Sequence, residues 1–125
     1  MSSAAPAGIH GPSLVIGGCG FLGFHIVAAL LKEPAWGPVL VIGRNPDHNR
    51  CEGASYHKGD VCNSDEIRRL PADLKPRIIF HTAAPRSADP AIAPGNHLRT
   101  SVDGTKTVLS AAKDLLRWYF RKGYQ

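Results

Sequence analysis

Three short runs of this chain are apolar at every position: Leu14 to Ile16, Val39 to Ile42, and Ile78 to Phe80. A strand wetted on one face alternates apolar and polar residues. Unbroken apolar runs predict strands covered on both faces, as in a parallel sheet. Between the first two runs the period changes. From Gly20 onward Leu22, Ile26, Ala29 and Leu30 recur at helical spacing, and Pro34 stops that helix. "SYHK", residues 55–58, reads as a weaker strand leading into Gly59 and Asp60. Asn63 or Ser64 caps a short helix through Leu70, with Asp65 and Glu66 in its first turn. A last helix is predicted from His97 or Leu98, burying Val102, Thr105, Val108 or Leu109, Ala112 and Leu115. Gly104 inside it costs about 1 kcal/mol relative to Ala, so close packing is expected there. Strands alternating with helices imply an α/β chain with a parallel sheet and right-handed crossovers.

Composition bounds this picture without redirecting it. The chain has 125 residues, 43% of them apolar and 20% charged, which suits one compact domain with a core. Its net charge of +5 comes from cations scattered along the chain, which argues against nucleic-acid binding. The three cysteines are unevenly spaced, and no CxxC pair or dense His cluster accompanies Cys51, His57 and Cys62. Free thiols in a reducing compartment are therefore expected, not a disulfide framework or a metal centre. Residues 1–12 are small, polar and broken by Pro and Gly, so they read as a loose tail and not a signal peptide. No run approaches the roughly 18 apolar residues of a membrane span, which leaves the cytoplasm as the expected location.

The chemistry lies in "VIGGCGFLG", residues 15–23. A strand, a glycine turn and a helix make an anion site, because the helix start carries free N–H groups and partial positive charge. Gly17 or Gly18 makes the tight turn, Gly20 allows close approach of a pyrophosphate, and Gly23 lets helix and strand pack. An acidic residue at the end of the second strand would bind the ribose of NAD. This chain has Gly43 and then Arg44, with Asp47 a poorer alternative on the following loop. A guanidinium there tilts the expectation slightly toward NADP, with NAD left open. Asp60 is placed to accept a hydrogen bond from the adenine. Thr82, Ala83 and Ala84 leave the fourth strand at the same sheet edge and pass under the cofactor. His81 reads as a half-buried strand-end residue. The candidate cofactor-binding residues are thus Gly17, Gly18, Gly20, Phe21, Leu22 and Gly23 in the turn, Arg44, Asp60 and Val61, and Thr82, Ala83 and Ala84.

Together "VIGGCGFLGFHIV", "GDV", "IIFHTAAP" and "SVDGTKTVLSAAK" resemble the extended short-chain dehydrogenase/reductase family, over about Leu14 to Lys113. The nearest type is the 3β-hydroxysteroid dehydrogenase, including fungal sterol-4α-carboxylate 3-dehydrogenases. The resemblance implies a Rossmann-like doubly wound sheet, partial here, with about four strands in the order 3-2-1-4. It also implies hydride transfer between a nicotinamide and a secondary alcohol or ketone, with a sterol-like substrate in a full-length version. Full-length relatives of this type associate with the endoplasmic reticulum. The family's proton relay is a Tyr-x-x-x-Lys pair with a Ser or Thr, the lysine lowering the tyrosine pKa. Tyr56 is followed four residues on by Asp60, and Tyr119 by Gly123, so the pair is absent from this chain. Ser101 stands where the helix motif of the family usually has Asn.

These readings make residues 13–114 an NAD(P)-binding front half without catalytic residues of its own. Residues 115–125 hold four of the nine aromatics and form an atypical segment. They read as foreign sequence, from an unspliced intron or a shifted frame. Otherwise they form a terminal helix with Leu115, Leu116 and Tyr119 packed and Arg117, Arg121 and Lys122 in water. The alternative to an oxidoreductase part is a non-catalytic dinucleotide-binding or sensor module. Strand 4 at an open edge would be an aggregation liability in such a module.

Overall fold

The computed structural model of the protein describes residues 11–61, 63, 65–67, 69, 75–82 and 102–121. Its elements are β1 (Ser13–Ile16), α1 (Phe21–Leu31), a short 3-10 turn (Pro34–Trp36), β2 (Val39–Gly43), β3 (Ser55–Lys58), β4 (Ile78–His81) and α2 (Gly104–Arg121). All four strands run parallel in the order β3-β2-β1-β4, the expected Rossmann-like arrangement.

The apolar runs become strands because helices cover both faces of the sheet. Every residue of β1 and β2 is buried. Alternate side chains feed two cores. Leu14, Ile16, Leu40 and Ile42 meet Val61, Ile67, Val108 and Ala111 on the α2 side. Val15, Val39 and Val41 meet Val27 and Leu30 of α1 on the other, with Trp36, Tyr56 and Phe80 packed against them. Each large apolar side chain so buried contributes roughly 1.5–3 kcal/mol. β3 is an edge strand, exposed except at Tyr56, and β4 is half-buried along its length.

Residues 11–13 are tied to the fold by hydrogen bonds. The Gly11 N–H donates to the Ala35 carbonyl at 2.8 Å, and the Arg77 N–H donates to the Pro12 carbonyl at 2.8 Å. Ser13 is buried, and its hydroxyl satisfies itself on the Trp36 carbonyl at 2.6 Å. Residues 11 and 12, placed in the loose tail by composition, thus each hold a backbone hydrogen bond to the fold, and residues 1–10 lie outside the described ones.

The short helix is capped by Asn63, whose Oδ1 accepts from the Glu66 N–H at 3.3 Å. Glu66 Oε2 reaches back to the Asp60 N–H at 3.0 Å. Ser64 and Leu70 lie outside the described residues, as do His97, Leu98 and Ser101.

α2 differs from its predicted burial pattern. Gly104, Val108, Ala111 and Leu115 form the buried face, while Val102 and Leu109 are exposed. The reason is the close approach to Val61. A Cβ on Gly104 would lie 2.6 Å from Val61 Cγ2, so the small residues of the helix face inward. The helix continues without interruption past Asp114. Leu115 packs in its buried face, whereas Leu116, Arg117 and Arg121 are exposed.

Candidate functional site

Register brings the strand ends together. Ile16 pairs level with Ile42 on one side and His81 on the other, and Gly43 is level with Lys58. Hydrogen bonds continue just past the strands. The Gly17 N–H donates to the Ile42 carbonyl, the Gly59 N–H to Gly43 and the Thr82 N–H to Ile16, at 2.8, 3.0 and 2.8 Å. Thr82 Oγ1 adds a bond to the same Ile16 carbonyl at 2.9 Å. The glycine turn, the start of the Arg44 loop, the Gly59-Asp60 turn and Thr82 thus share the carboxyl edge of the sheet, where open α/β sheets bind ligands.

Within the turn, three glycines answer to the protein itself. Gly17 has φ +86°, a conformation that side chains disfavour. A Cβ on Gly18 would fall on Val41 Cγ1, so this residue lets the turn settle against β2. On Gly23 it would run into the Gly17 carbonyl oxygen and lie 2.7 Å from the Gly18 Cα. Gly20 is different. Its φ of −80° and ψ of 175° suit any residue, and a Cβ there would meet only the Gly17 oxygen, at an ordinary 3.4 Å.

Gly20 is exposed and precedes the first turn of α1. No side chain caps that helix start, and its first turn holds no acidic residue. The first amides of a helix have no intrahelical acceptor and sit at the positive end of its dipole. Phe21 and Leu22, at 83% and 61% exposure, stand beside them as large apolar side chains in solvent. This end of α1 suits an anion carried by a ligand with flat, apolar parts.

The other expected residues sort by position. Arg44 is exposed directly after β2, and Asp60 is half-buried after β3. Val61 sends its side chain into the core, where it is 4% exposed and lies against Gly104, while its backbone directly follows the Gly59-Asp60 turn. Ala83 and Ala84 lie outside the described residues.

Two contacts escaped sequence reasoning. Asn49 Nδ2 donates to the Cys19 carbonyl at 2.9 Å and ties the loop after β2 to the glycine turn. Its φ of +48° is one that Asn tolerates better than most residues, a weak signal available in the sequence. His81 Nε2 lies 3.0 Å from Thr105 Oγ1, joining β4 to α2.

Burial sets the protonation of these neighbours. Among the described residues His81 Nδ1 is buried and has no hydrogen-bond partner, and burial lowers the imidazole pKa from its ordinary 6.5. Burial also raises the Cys19 thiol, with nearby Arg50 opposing it. Tyr56 is raised by burial as well; its hydroxyl accepts the Cys51 N–H at 2.6 Å, and the Arg50 guanidinium stacks 4.6 Å from its ring centre. Among the described residues no group of three or more His, Cys, Asp or Glu gathers to hold a metal, and no helix is long and apolar enough to cross a membrane.

Comparison with known proteins gives this geometry a context. Residues 13–120 match the family model described as NAD dependent epimerase/dehydratase family. Sterol-4-alpha-carboxylate 3-dehydrogenase, decarboxylating, of Mus musculus is 33% identical over 102 residues, covering 80% of this chain and 26% of that protein. dTDP-glucose 4,6-dehydratase of Neisseria gonorrhoeae is 28% identical over 115 residues, covering 80% of this chain and 32% of that protein. The crystal structure of the Bordetella bronchiseptica enzyme WbmG in complex with NAD and UDP has a TM-score of 0.73 at 28% identity. That match covers 90% of this chain and 37% of WbmG. The chain thus spans about a quarter to a third of the length of the curated relatives it matches. Sterol and sugar-nucleotide enzymes resemble it at similar levels.

Proposed function

Because this chain belongs to the NAD dependent epimerase/dehydratase family, we propose that its glycine turn receives the pyrophosphate of a nicotinamide adenine dinucleotide. Gly20 carries the reading. It is the one glycine of the turn for which neither backbone conformation nor a protein neighbour accounts. A ligand pressed against that backbone supplies the missing reason, and the uncapped α1 terminus supplies its N–H donors.

The residues fit such a group. Gly17, Gly18 and Gly23 shape the turn, and the backbone of Gly20, Phe21 and Leu22 binds the phosphates. Asp60 holds the adenine end, and Thr82 floors the site. When bound, the nicotinamide supplies hydride transfer at a carbon bearing a hydroxyl or carbonyl group. Arg44 offers a guanidinium to a 2′-phosphate at a position where an acidic residue would repel it, which favours NADP over NAD.

The substrate side is a sterol-type alcohol acted on by a longer protein of the 3β-hydroxysteroid dehydrogenase type. "IIFHTAAP" with "VDGTKTVL" supports that branch over the nucleotide-sugar enzymes. This chain contains no Tyr-x-x-x-Lys pair, so alone it binds the dinucleotide without turning substrate over. The same observation favours a second reading, a non-catalytic dinucleotide-binding module.

Calorimetric titration with NADP and NAD tests the first step. Saturable binding is expected, and it disappears in Gly20→Val while the far-ultraviolet circular dichroism stays unchanged. Equal binding by Gly20→Val would remove the glycine turn from the site. Hydride transfer from a 3β-hydroxysteroid or nucleotide sugar to the oxidised dinucleotide, followed at the nicotinamide absorbance, should stay at background. Turnover would show that other residues carry the proton.

A further inference from the structure

The peptide between Cys19 and Gly20 is held at both of its polar ends. Its carbonyl oxygen accepts from Asn49 Nδ2 at 2.9 Å. Its N–H, on Gly20, donates to the Gly17 carbonyl at 3.1 Å. The next carbonyl, that of Gly20, accepts from the Phe24 N–H at 2.9 Å and so already belongs to the helical ladder. This peptide is therefore the last unit before the uncapped amides of α1, and its orientation sets which end of its dipole faces a ligand there. Turning it over would make φ of Gly20 positive, which glycine accepts where other residues resist. The residue that admits the ligand thus also leaves the peptide free to turn, and the two hydrogen bonds are what hold it.

Asn49 is fastened from its own side. Its φ of +48° lies in the left-handed region that Asn tolerates. Directly after it the Arg50 guanidinium stacks 4.6 Å from the Tyr56 ring centre, and the Cys51 N–H donates to the Tyr56 hydroxyl at 2.6 Å. Tyr56 belongs to β3, so a continuous path runs from that strand through the loop to the glycine turn. We propose that Asn49 is a positioning residue for phosphate. It keeps the Cys19 carbonyl toward the loop, so that the turn offers amides and not a carbonyl oxygen to an anion. The proposal rests on the dinucleotide reading above. It adds that the loop after β2 governs the phosphate end of the site as well as the adenosine end.

Asn49→Gly keeps the positive φ and removes the donor. In calorimetric titration of the full chain it should bind NADP and NAD about three- to tenfold more weakly, the worth of one hydrogen bond, with thermal melting retained. Asn49→Asp keeps the size but sets an acceptor against the carbonyl, and should lose at least as much. Two readouts separate positioning from a general loosening of the loop. Affinity for inorganic pyrophosphate, followed by nuclear magnetic resonance, should fall in parallel with the dinucleotides, whereas adenosine should bind variant and wild type alike. In isotope-labelled protein without ligand, the Cys19 carbonyl signal correlated with the Gly20 amide should shift in both variants. A wild-type chain that binds neither dinucleotide overturns the dinucleotide reading, and this proposal with it. Wild-type binding equalled by Asn49→Gly overturns the proposal alone. Equal losses for adenosine and pyrophosphate, or an unmoved Cys19 carbonyl signal, overturn it as well.

Discussion

His81 Nε2 and Thr105 Oγ1 meet at 3.0 Å, and this contact joins the last strand of the sheet to the helix packed against it. The other ring nitrogen, Nδ1, is buried and has no partner among the described residues. The economical tautomer carries its proton on Nε2 and donates it to Thr105, because an unpaired buried N–H costs more than an unused lone pair. A second proton would place an N–H at Nδ1 with no acceptor.

Acid should therefore loosen this corner first. The His81 pKa is lowered by burial, so below the ordinary imidazole value of 6.5 the unfolded chain binds a proton that the folded chain resists. Stability from this group is complete above that value and declines as pH falls from it toward the lowered folded-state pKa. Thermal melting from about pH 8 to about pH 5 should show the decline, and His81→Asn should flatten it. Identical slopes in the two proteins would place the titrating group elsewhere.

Gly20 and Gly23 should separate binding from folding. Ala at position 20 makes only an ordinary contact, so stability should stay within about 0.5 kcal/mol while dinucleotide affinity falls at least tenfold. Ala at position 23 meets backbone atoms of Gly17 and Gly18 and should cost about 1–3 kcal/mol or more in urea denaturation. A folded, stable Gly23→Ala protein would mean that the turn can shift away from α1.

Arg44 is the residue on which the choice between NADP and NAD is expected to rest. A charge-assisted contact to a 2′-phosphate is worth about 1.5–3 kcal/mol, so Arg44→Ala should lower NADP affinity tenfold or more and leave NAD nearly unchanged. Parallel titrations with both dinucleotides give the ratio. A ratio that does not move assigns the preference to another group.

Gly104 and Val61 should prove coupled. Gly104→Ala gains about 1 kcal/mol of helix propensity but drives a methyl group into Val61, for a net loss of about 1–2 kcal/mol. Val61→Ala opens space at the same point. The double variant should therefore be more stable than the two single losses predict, by at least about 0.5 kcal/mol. Additivity in urea denaturation would indicate that helix and turn can part without cost.

Much of this architecture is legible in local pattern, because β1 and β2 are covered on both faces and leave unbroken apolar runs, as does half-buried β4. The glycine motif is legible for the same reason, since it follows directly on such a run. What local pattern hides is which neighbour each glycine serves. Gly18 answers to Val41, a residue on another strand, and Gly104 answers to Val61 across the core. On α2 Val108 and Leu115 are buried as expected, whereas Val102 and Leu109 are exposed, because the helix has two apolar rows. Size alone does not show that the smaller row, with Gly104 and Ala111, turns inward. The Asn49–Cys19 and His81–Thr105 contacts depend on long-range docking and leave little trace in sequence.

Thr82 binds the Ile16 carbonyl across 66 positions of chain. Neighbouring strands here are joined only through long crossovers, so no part of the carboxyl edge can be assembled from a contiguous piece of sequence. Bringing this edge together closes long loops, each at an entropic cost that grows with its length. A molecule recognised across the whole edge needs every one of these pairings in place. Its presence would then slow hydrogen exchange in all four strands together, making occupancy a gauge of the completed sheet.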